Sequence, residues 1–220
     1  MERALIQMLA DEASKIGIVL GPAELSKFAL FYDEFQLWNA KMNLTAVAPG
    51  PSFVVKHFID CLQALPLIPK TAKTLLDLGT GGGFPGIPLA IAGRNLQVIL
   101  LDASRKKTSF LRQVVIKLGL SGIRVVTGRA ETLADQVSDI QNFDVIISRA
   151  TFKLAQFLSL AGAYAGRDGI VIAMKGREWR KEMAEAESIL VQNRFRLVSV
   201  RETVLPGEGE GRVFLIYKRD

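Results

Sequence analysis

The chain has 220 residues, of which 49% are hydrophobic and 23% are charged. This length and composition fit one α/β core with a small extension and are short for two independent domains. Its single cysteine, Cys61, excludes an internal disulfide, and its single histidine, His57, excludes a histidine-rich metal site. No apolar run is long enough to cross a bilayer and the N-terminus lacks a signal-peptide pattern, so we expect a cytoplasmic protein with no metal and no membrane partner.

The net charge of +6 is unevenly placed along the chain. The first 70 residues carry 6 Lys and Arg against 7 Asp and Glu, whereas the remaining residues carry 22 against 15. A positive excess of this kind favours a polyanionic partner, although a basic solvent-exposed surface would give the same count.

Residues 1–70 show helical spacing only, and we interpret them as an N-terminal helical extension packed on the core. An apolar stripe over residues 5–16 predicts the first helix. A second helix opens at Gly21-Pro22 and carries an aromatic stripe, which we interpret as a packing face rather than a base-stacking surface. A third helix is predicted over residues 54–65, ended by Pro66.

From residue 73 onward, short apolar runs alternate with helical segments. Each Val, Ile and Leu run predicts a strand buried on both faces, and each helical segment predicts a crossover between parallel strands. The predicted strands are residues 74–78, 98–101, 123–127, 145–147 and 170–174. The predicted helices include residues 87–92, 106–118, 154–165 and 179–193.

Two further strand-like runs, residues 195–204 and 212–217, are joined only by a loop rich in Gly and Glu, so we predict that they pair antiparallel. Five βα units followed by such a pair is the order of the class I methyltransferase form of the Rossmann-like sheet. We therefore predict an α/β fold with five parallel strands, an antiparallel C-terminal pair and helices on both faces. Residues 71–220 would form a methyltransferase domain that binds S-adenosylmethionine.

The strongest motif is residues 75–86, LLDLGTGGGFPG, which predicts a strand, a glycine loop and a helix N-terminus. The dinucleotide pattern G-x-G-x-x-G fails because Phe84 stands at the sixth position from Gly79, and the Asp77 carboxylate would repel a pyrophosphate. A Walker phosphate loop is excluded because no Gly-Lys-Ser/Thr follows. The pattern D-x-G-x-G-x-G suits the cationic ligand S-adenosylmethionine, which we expect Asp77, Gly79 and Gly81 to bind.

Three strand ends supply the other candidate cofactor residues. Asp102 ends the second strand, where a carboxylate can bind both ribose hydroxyls, and a helix N-cap is the alternative role. Ala130 and Glu131 follow the third strand and are candidates to contact adenine, unless they only form an ordinary strand-to-helix turn. Arg149 follows the fourth strand, and we place it at the junction of cofactor and substrate.

Taken together, these segments resemble one family over nearly the whole chain: the bacterial small-subunit ribosomal RNA guanine-N7 methyltransferases, also called glucose-inhibited division protein B. The marks of the resemblance are Trp38-Asn39, Asn43-Leu44-Thr45, residues 57–62, Gly83-Phe84-Pro85-Gly86, Asp102, Arg129-Ala130-Glu131, Ser148-Arg149-Ala150, Lys175-Gly176 and Arg212. Cys61 departs from the usual serine, and Lys106-Lys107 from the usual Lys-Arg.

The resemblance implies methylation of N7 of one guanine in 16S ribosomal RNA. It also implies that the residues holding the cofactor are Gly79, Phe84, Ala130, Glu131 and Arg149. Guanine N7 has a lone pair and no proton, so it can attack without a general base, and positioning can lower the barrier by up to ~7–11 kcal/mol. The sequence assigns no catalytic residue. We expect a monomer that binds 16S ribosomal RNA or the small ribosomal subunit.

The candidate RNA contacts are basic residues at strand ends and in loops, together with one helical pair. The basic candidates are Arg105, Lys106, Lys107, Lys153, Lys175, Arg177 and Arg212. For the 105–107 run the alternative is a solvated helix face. His57 and Asp60 lie on one helix face, where they could contact substrate, but we favour a role in tying the N-terminal helices to the core.

Three other functions fit parts of the sequence. A small-molecule or protein methyltransferase on the same sheet is disfavoured by the basic C-terminal region. A dinucleotide-binding oxidoreductase is disfavoured by Asp77 and Phe84. A non-catalytic RNA-binding protein that kept the fold would carry the same motifs without transferring a methyl group.

Overall fold

The computed structural model describes residues 1–93, 96–136, 141–209 and 211–219. The strands are β1 (Thr74–Leu78), β2 (Gln97–Asp102), β3 (Ile123–Thr127), β4 (Phe143–Arg149), β5 (Ala165–Lys175), β6 (Phe195–Val204) and β7 (Gly211–Arg219). The α-helices are α1 (Arg3–Lys15), α2 (Pro22–Met42), α3 (Pro51–Phe53), α4 (Asp60–Leu62), α5 (Gly86–Ile91), α6 (Arg105–Lys117), α7 (Ala130–Gln136), α8 (Leu154–Tyr164), α9 (Trp179–Glu185) and α10 (Glu187–Gln192). None of the described helices is long and apolar enough to cross a membrane.

The described strands form one sheet in the order β3-β2-β1-β4-β5-β7-β6. Strands β1 to β5 run parallel, and β7 pairs antiparallel with both β5 and β6. The predicted five parallel strands and antiparallel C-terminal pair are confirmed. From β1 the sheet grows first to one side, with β2 and β3, and then to the other side, with β4 and β5. Sheets of this class bind ligands in the crevice where the order switches sides, here between β1 and β4.

Helices cover both faces of the sheet because successive side chains of each strand point to opposite sides. Leu75 of β1 lies in a buried cluster with residues of α1, α2, α5 and α6. Its neighbour Leu76 lies in a second cluster with residues of α8 and α9. The same alternation separates Ile172 from Val171 in β5. Helices therefore cover both faces of the central strands β1, β4 and β5, and the strand ends remain as an open edge for a ligand.

The aromatic stripe of α2 packs against the core, as predicted. Phe31 is fully buried, with its ring centroid 5.3 Å from that of Phe84 and 5.8 Å from that of Phe58. Phe28 lies 5.0 Å from Phe58. These rings place the N-terminal helices in the same buried cluster as the glycine loop.

Two predicted helices differ from the structure. The third helix starts earlier, at Pro51, and α4 ends at Leu62, with a π-helical turn (Val54–Ile59) between α3 and α4. A π-turn holds one extra residue and often marks a functional site. The predicted 179–193 helix is divided at the buried Ala186 into α9 and α10. Glu210 of the predicted 205–211 loop lies outside the described residues.

A shared core predicts that the N-terminal helices and the sheet unfold together. We expect Phe31→Ala to lower the free energy of unfolding by about 3–5 kcal/mol, because it removes a fully buried ring and leaves a cavity. Urea denaturation followed by circular dichroism measures this change. The matched control is Leu37→Ala on the same helix, at a side chain that is 63% exposed. A loss no larger than the control's, or a separate transition for the N-terminal helices, would contradict the shared core.

Candidate active site

A cavity of about 640 Å³ opens at the carboxyl edge of β1 and β4. The 51–62 helix and the ends of four strands supply its walls. Its lining includes Gly79, Thr80, Gly81, Gly82, Phe84, His57, Asp60, Arg149, Phe152, Lys175, Glu182 and Arg212. The volume is typical of a small-molecule site.

Asp77 lies beneath the glycine loop and holds its shape. The carboxylate is fully buried, and its Oδ2 accepts hydrogen bonds from Thr80 Oγ1 at 2.6 Å and from the Gly86 amide at 2.8 Å. Its Oδ1 is buried without a hydrogen-bond partner among the described residues. Burial raises the pKa of Asp77 from 3.8 to about 7, against the lowering effect of the two hydrogen bonds. The sequence interpretation placed this carboxylate against the ligand, whereas in the structure it does not line the cavity.

The glycine loop leaves little room for side chains, as Gly79 and Gly86 show. A Cβ on Gly79, whose φ is +69°, would lie 2.5 Å from Thr151 Cγ2. Thr151 Oγ1 donates to the Gly79 carbonyl at 2.7 Å, which ties the loop to the end of β4. A Cβ on Gly86 would lie 2.9 Å from Asp77 Oδ2 and would break the hydrogen bond that closes the loop.

Asp102 ends β2 next to the glycine loop. Its Oδ2 accepts from the Gly81 amide at 3.0 Å, and its Oδ1 accepts from the Ser104 amide at 2.8 Å. The N-cap of α6 is Ser104, whose side chain accepts from the Lys107 amide, so Asp102 is not the cap. Each Asp102 oxygen keeps a second lone pair for a ligand.

Ala130 and Glu131 begin α7 on the β3 side of the glycine loop. The Ala130 carbonyl accepts a 2.6 Å hydrogen bond from Tyr164, and Glu131 is exposed. Neither these two residues nor Asp102 line the cavity. They form a neighbouring surface at the ends of β2 and β3.

A chain of hydrogen bonds joins the N-terminal motifs to His57. Asn39 Oδ1 accepts from the Thr45 amide at 2.9 Å, and Thr45 Oγ1 lies 3.0 Å from His57 Nε2. Arg149 Nη2 lies 3.0 Å from His57 Nδ1. Since a guanidinium can only donate, Nδ1 is the acceptor, and the imidazole proton lies on Nε2 and points to Thr45. Burial and the nearby Arg149 lower the pKa of His57 to about 3, so the ring is neutral.

Asp60 links the helix to two strand ends through arginines. Its Oδ2 accepts from Arg149 Nη1 at 3.1 Å, and its Oδ1 accepts from Arg212 Nε at 3.2 Å. Arg149 also donates to the Lys56 carbonyl at 2.8 Å and lies 5.0 Å from the Phe84 ring centroid. The Phe84 ring stacks on His57 at 4.7 Å. His57 and Asp60 therefore tie the N-terminal helices to the core while still lining the cavity.

Lys175 and Glu182 form an ion pair on another wall of the cavity. Lys175 Nζ lies 2.6 Å from Glu182 Oε2 and donates to the Phe152 carbonyl at 2.7 Å. The same Oε2 accepts from the Leu154 amide at 2.6 Å. Sequence reasoning named Lys175 but missed Glu182 and Phe152, because no motif marks either residue. Glu182 reaches the strand ends only through the packing of α9 on α8, whereas Phe152 follows the end of β4.

The predicted RNA contacts divide between two places. His57, Asp60, Lys175 and Arg212 line the cavity. A separate groove of about 610 Å³ lies between the end of α2 and the start of α6, and we call it the α2–α6 groove. It is lined by Trp38, Lys41, Met42, Asn43, Ser104, Arg105, Lys106, Lys107 and Ser109. Lys153 and Arg177 are exposed outside both.

The described residues contain no group of three or more His, Cys, Asp or Glu side chains that could hold a metal ion. The charged groups around the cavity are instead paired with each other, as Asp60 is with Arg149 and Arg212. The candidate site is therefore built from a glycine loop, ion pairs and aromatic rings.

The raised pKa of Asp77 predicts a pH-dependent stability. The folded state binds this proton more tightly than the unfolded state, so the free energy of unfolding falls as pH rises from about 4 to about 7. We expect this decline, at most about 4 kcal/mol, to be absent in Asp77→Asn. The amide oxygen can still accept from Thr80 and Gly86. Urea denaturation of both proteins across this pH range measures the difference, and equal slopes would rule out Asp77 as the titrating group.

Comparison with known proteins identifies relatives over nearly the full chain. The family model for rRNA small subunit methyltransferase G (GidB) matches residues 24–207. The ribosomal RNA small subunit methyltransferase G of Syntrophus aciditrophicus (strain SB) is 38% identical over 214 residues, 97% of this chain and 89% of that protein. The protein of the same name from Geobacter sp. (strain M21) is 35% identical, and the match covers 97% of each chain.

Solved structures share the fold at lower identity. An O-methyltransferase from Bacillus cereus in complex with SAH is similar with a TM-score of 0.62 at 19% identity, covering 86% of this chain and 90% of that one. Cofactor-bound Rv0187 from MTB is similar with a TM-score of 0.59 at 18% identity, covering 91% of each chain. These likenesses establish the class I methyltransferase fold. The family model and the relatives from Syntrophus and Geobacter show that the chain belongs to the rRNA small subunit methyltransferase G family.

Proposed function

We propose that this protein is an S-adenosylmethionine-dependent enzyme that methylates N7 of a specific guanine in 16S ribosomal RNA. The observation that carries the proposal is a glycine loop backed by a buried carboxylate, opening into a cavity, in a chain of this family. We further propose that it acts as a cytoplasmic monomer on 16S ribosomal RNA or the small ribosomal subunit.

The residues around the glycine loop fit S-adenosylmethionine, which carries an ammonium and a sulfonium. Asp77 has a buried oxygen to which no described residue donates, and the negative charge of the carboxylate favours a cationic ligand above the loop. A pyrophosphate would meet repulsion from the same carboxylate. Residues that would hold the ligand lie at the loop and at the ends of β2, β3 and β4: Gly79, Gly81, Phe84, Asp102, Ala130, Glu131 and Arg149.

Asp77 and Phe84 would act on the ligand differently from the other residues of this set. Asp77 is buried beneath the loop, so it would act through the loop and its electric field. The Phe84 ring packs against both His57 and Arg149, which leaves it to shape the wall of the site.

S-adenosylmethionine supplies an electrophilic methyl group on its sulfonium. The chain's own residues would position the guanine, because N7 attacks through an in-plane lone pair and has no proton to lose. The neutral His57, with both ring nitrogens in hydrogen bonds, is consistent with a site that needs no general base. In A-form RNA N7 lies in a deep, narrow groove, so the target guanine must be unstacked to enter the cavity.

The α2–α6 groove supports an RNA partner. Four cationic side chains line it, Lys41, Arg105, Lys106 and Lys107, and its lining contains no Asp or Glu. Among the described residues none of the four has an acidic partner, whereas Lys56, Lys117 and Lys175 are each paired with a glutamate. An unneutralised cluster of this kind attracts a phosphate backbone.

We expect Lys106→Glu with Lys107→Glu to weaken binding of 16S ribosomal RNA. The slope of log Kd against log salt concentration should also fall by about one to two, because two phosphate contacts are lost. Filter binding over a range of potassium chloride concentrations measures both quantities. Lys70→Glu with Lys73→Glu is the matched control, with the same charge change at exposed positions near the amino end of β1. If both double variants weaken binding equally, the groove has no specific role.

Methyl transfer tests the proposed function directly. Purified protein is incubated with S-adenosylmethionine and either 16S ribosomal RNA or small ribosomal subunits, and the RNA is digested and mapped by mass spectrometry. We expect one added methyl group on a single guanine, located at N7 by strand cleavage after borohydride and aniline. Small acceptors such as catechols serve as the control. Transfer to the small acceptors alone, or to no RNA, would overturn the proposal.

A further inference from the structure

The Lys175–Glu182 ion pair is held in place from both ends. Lys175 is the last residue of β5 and is 8% exposed. Glu182 lies on α9, with a side chain that is 23% exposed, and its Oε2 is fixed by Lys175 Nζ and by the Leu154 amide. The backbone carbonyl of Phe152 anchors the lysine a second time. The pair therefore presents a fixed donor and a fixed acceptor to the cavity.

The pair also has unused hydrogen-bonding capacity. Both hydrogen bonds to Glu182 go to Oε2, so Oε1 has no donor among the described residues. Lys175 uses two of its three N–H donors on Phe152 and Glu182. Asp60, the other carboxylate on the cavity wall, differs because an arginine binds each of its oxygens and it is 1% exposed.

Guanine has a matching pattern of groups. O6 accepts hydrogen bonds, and N1–H and the N2 amino group on the adjoining edge donate them. N7 has to stay free for the methyl group, so the protein must identify the base from its other positions. Adenine has the opposite pattern, with an N6 donor where guanine has O6 and an acceptor at N1.

We propose that Lys175 and Glu182 recognise the target guanine, with the ammonium donating to O6 and Glu182 Oε1 accepting from N1–H and the N2 amino group. This inference rests on the proposed function and names the residues that select the base. An adenine in the same position would place a donor against the ammonium and an acceptor against the carboxylate. Phe152, which lines the same wall and is half-buried beside Gly79, offers a ring on which the base can stack.

A base analogue separates recognition from a structural role. Inosine keeps O6, N1–H and N7 of guanine and lacks only the N2 amino group. Small subunits are reconstituted with 16S ribosomal RNA that carries guanine or inosine at the mapped position, and kcat/KM is measured for each. For the wild type we expect inosine to be methylated about 10- to 100-fold less efficiently, the effect of one hydrogen bond to a charged group.

Glu182→Gln is the decisive variant. Its amide oxygen can still accept from Lys175 and Leu154, while an N–H₂ group replaces the free Oε1 and faces the donors of guanine. We expect a lower kcat/KM with guanine and a guanine-to-inosine ratio close to one. Glu185→Gln is the matched control, because Glu185 is exposed on the same helix and does not line the cavity. It should keep the wild-type ratio.

The possible outcomes are distinct. An unchanged ratio in Glu182→Gln, or a wild type that methylates inosine as fast as guanine, would overturn the inference. The second result needs no variant and stands even if Glu182→Gln does not fold. Failure of the proposed function would look different, since the wild type would then transfer no methyl group to the guanine substrate.

Discussion

The shape of the site depends on one buried carboxylate. Asp77 Oδ2 accepts hydrogen bonds from both Thr80 Oγ1 and the Gly86 amide, and these two bonds close the turn from β1 into α5. Because the carboxylate takes the space where a Gly86 side chain would be, only glycine fits there. The loop then places Gly79 to Gly82 along the cavity wall. Burial of this charge is unfavourable on its own, as the raised pKa shows, and a cationic ligand above the loop would offset it.

A second set of interactions makes the N-terminal helices part of the site. Arg149 at the end of β4 donates to His57, to Asp60 and to the Lys56 carbonyl, all on the 51–62 helix. Asp60 extends the network to Arg212 of β7. A guanidinium that is only 16% exposed needs acceptors in place of water, and the helix supplies three of them. The helical extension therefore builds one wall of the cavity and is more than a cover on the sheet.

Much of the fold could be predicted because its patterns are local. Alternation of apolar runs with helical segments identified the five parallel strands, and the short loop before β7 identified the antiparallel pair. The glycine loop was identifiable for the same reason, since its residues are consecutive. The orientation of the Asp77 side chain could not be predicted, because a carboxylate two residues before a glycine can face a ligand or the loop amides. The structure decides between them, because the Asp77 carboxylate is fully buried and bonded to Thr80 and the Gly86 amide.

Contacts between segments that are distant in the sequence could not be predicted from local sequence patterns. Glu182 reaches the cavity because α9 packs on α8, and Lys41 joins Arg105 because α2 ends beside α6. The π-turn that carries His57 was also missed, since a helix with one extra residue keeps nearly the same apolar spacing. The structure agrees with the interpretation of His57 and Asp60 as a link to the core. The sequence does not show that Arg149, which we expect at the junction of cofactor and substrate, is their partner.

The most direct test of the central claim is a proton count on ligand binding. Calorimetric titration with S-adenosylmethionine at pH 7, in two buffers of different ionisation enthalpy, gives the number of protons exchanged. A cation bound above the loop should lower the pKa of Asp77, so we expect the wild type to release a fraction of a proton that Asp77→Asn does not release. Equal proton exchange in the two proteins would contradict an electrostatic role for the buried carboxylate.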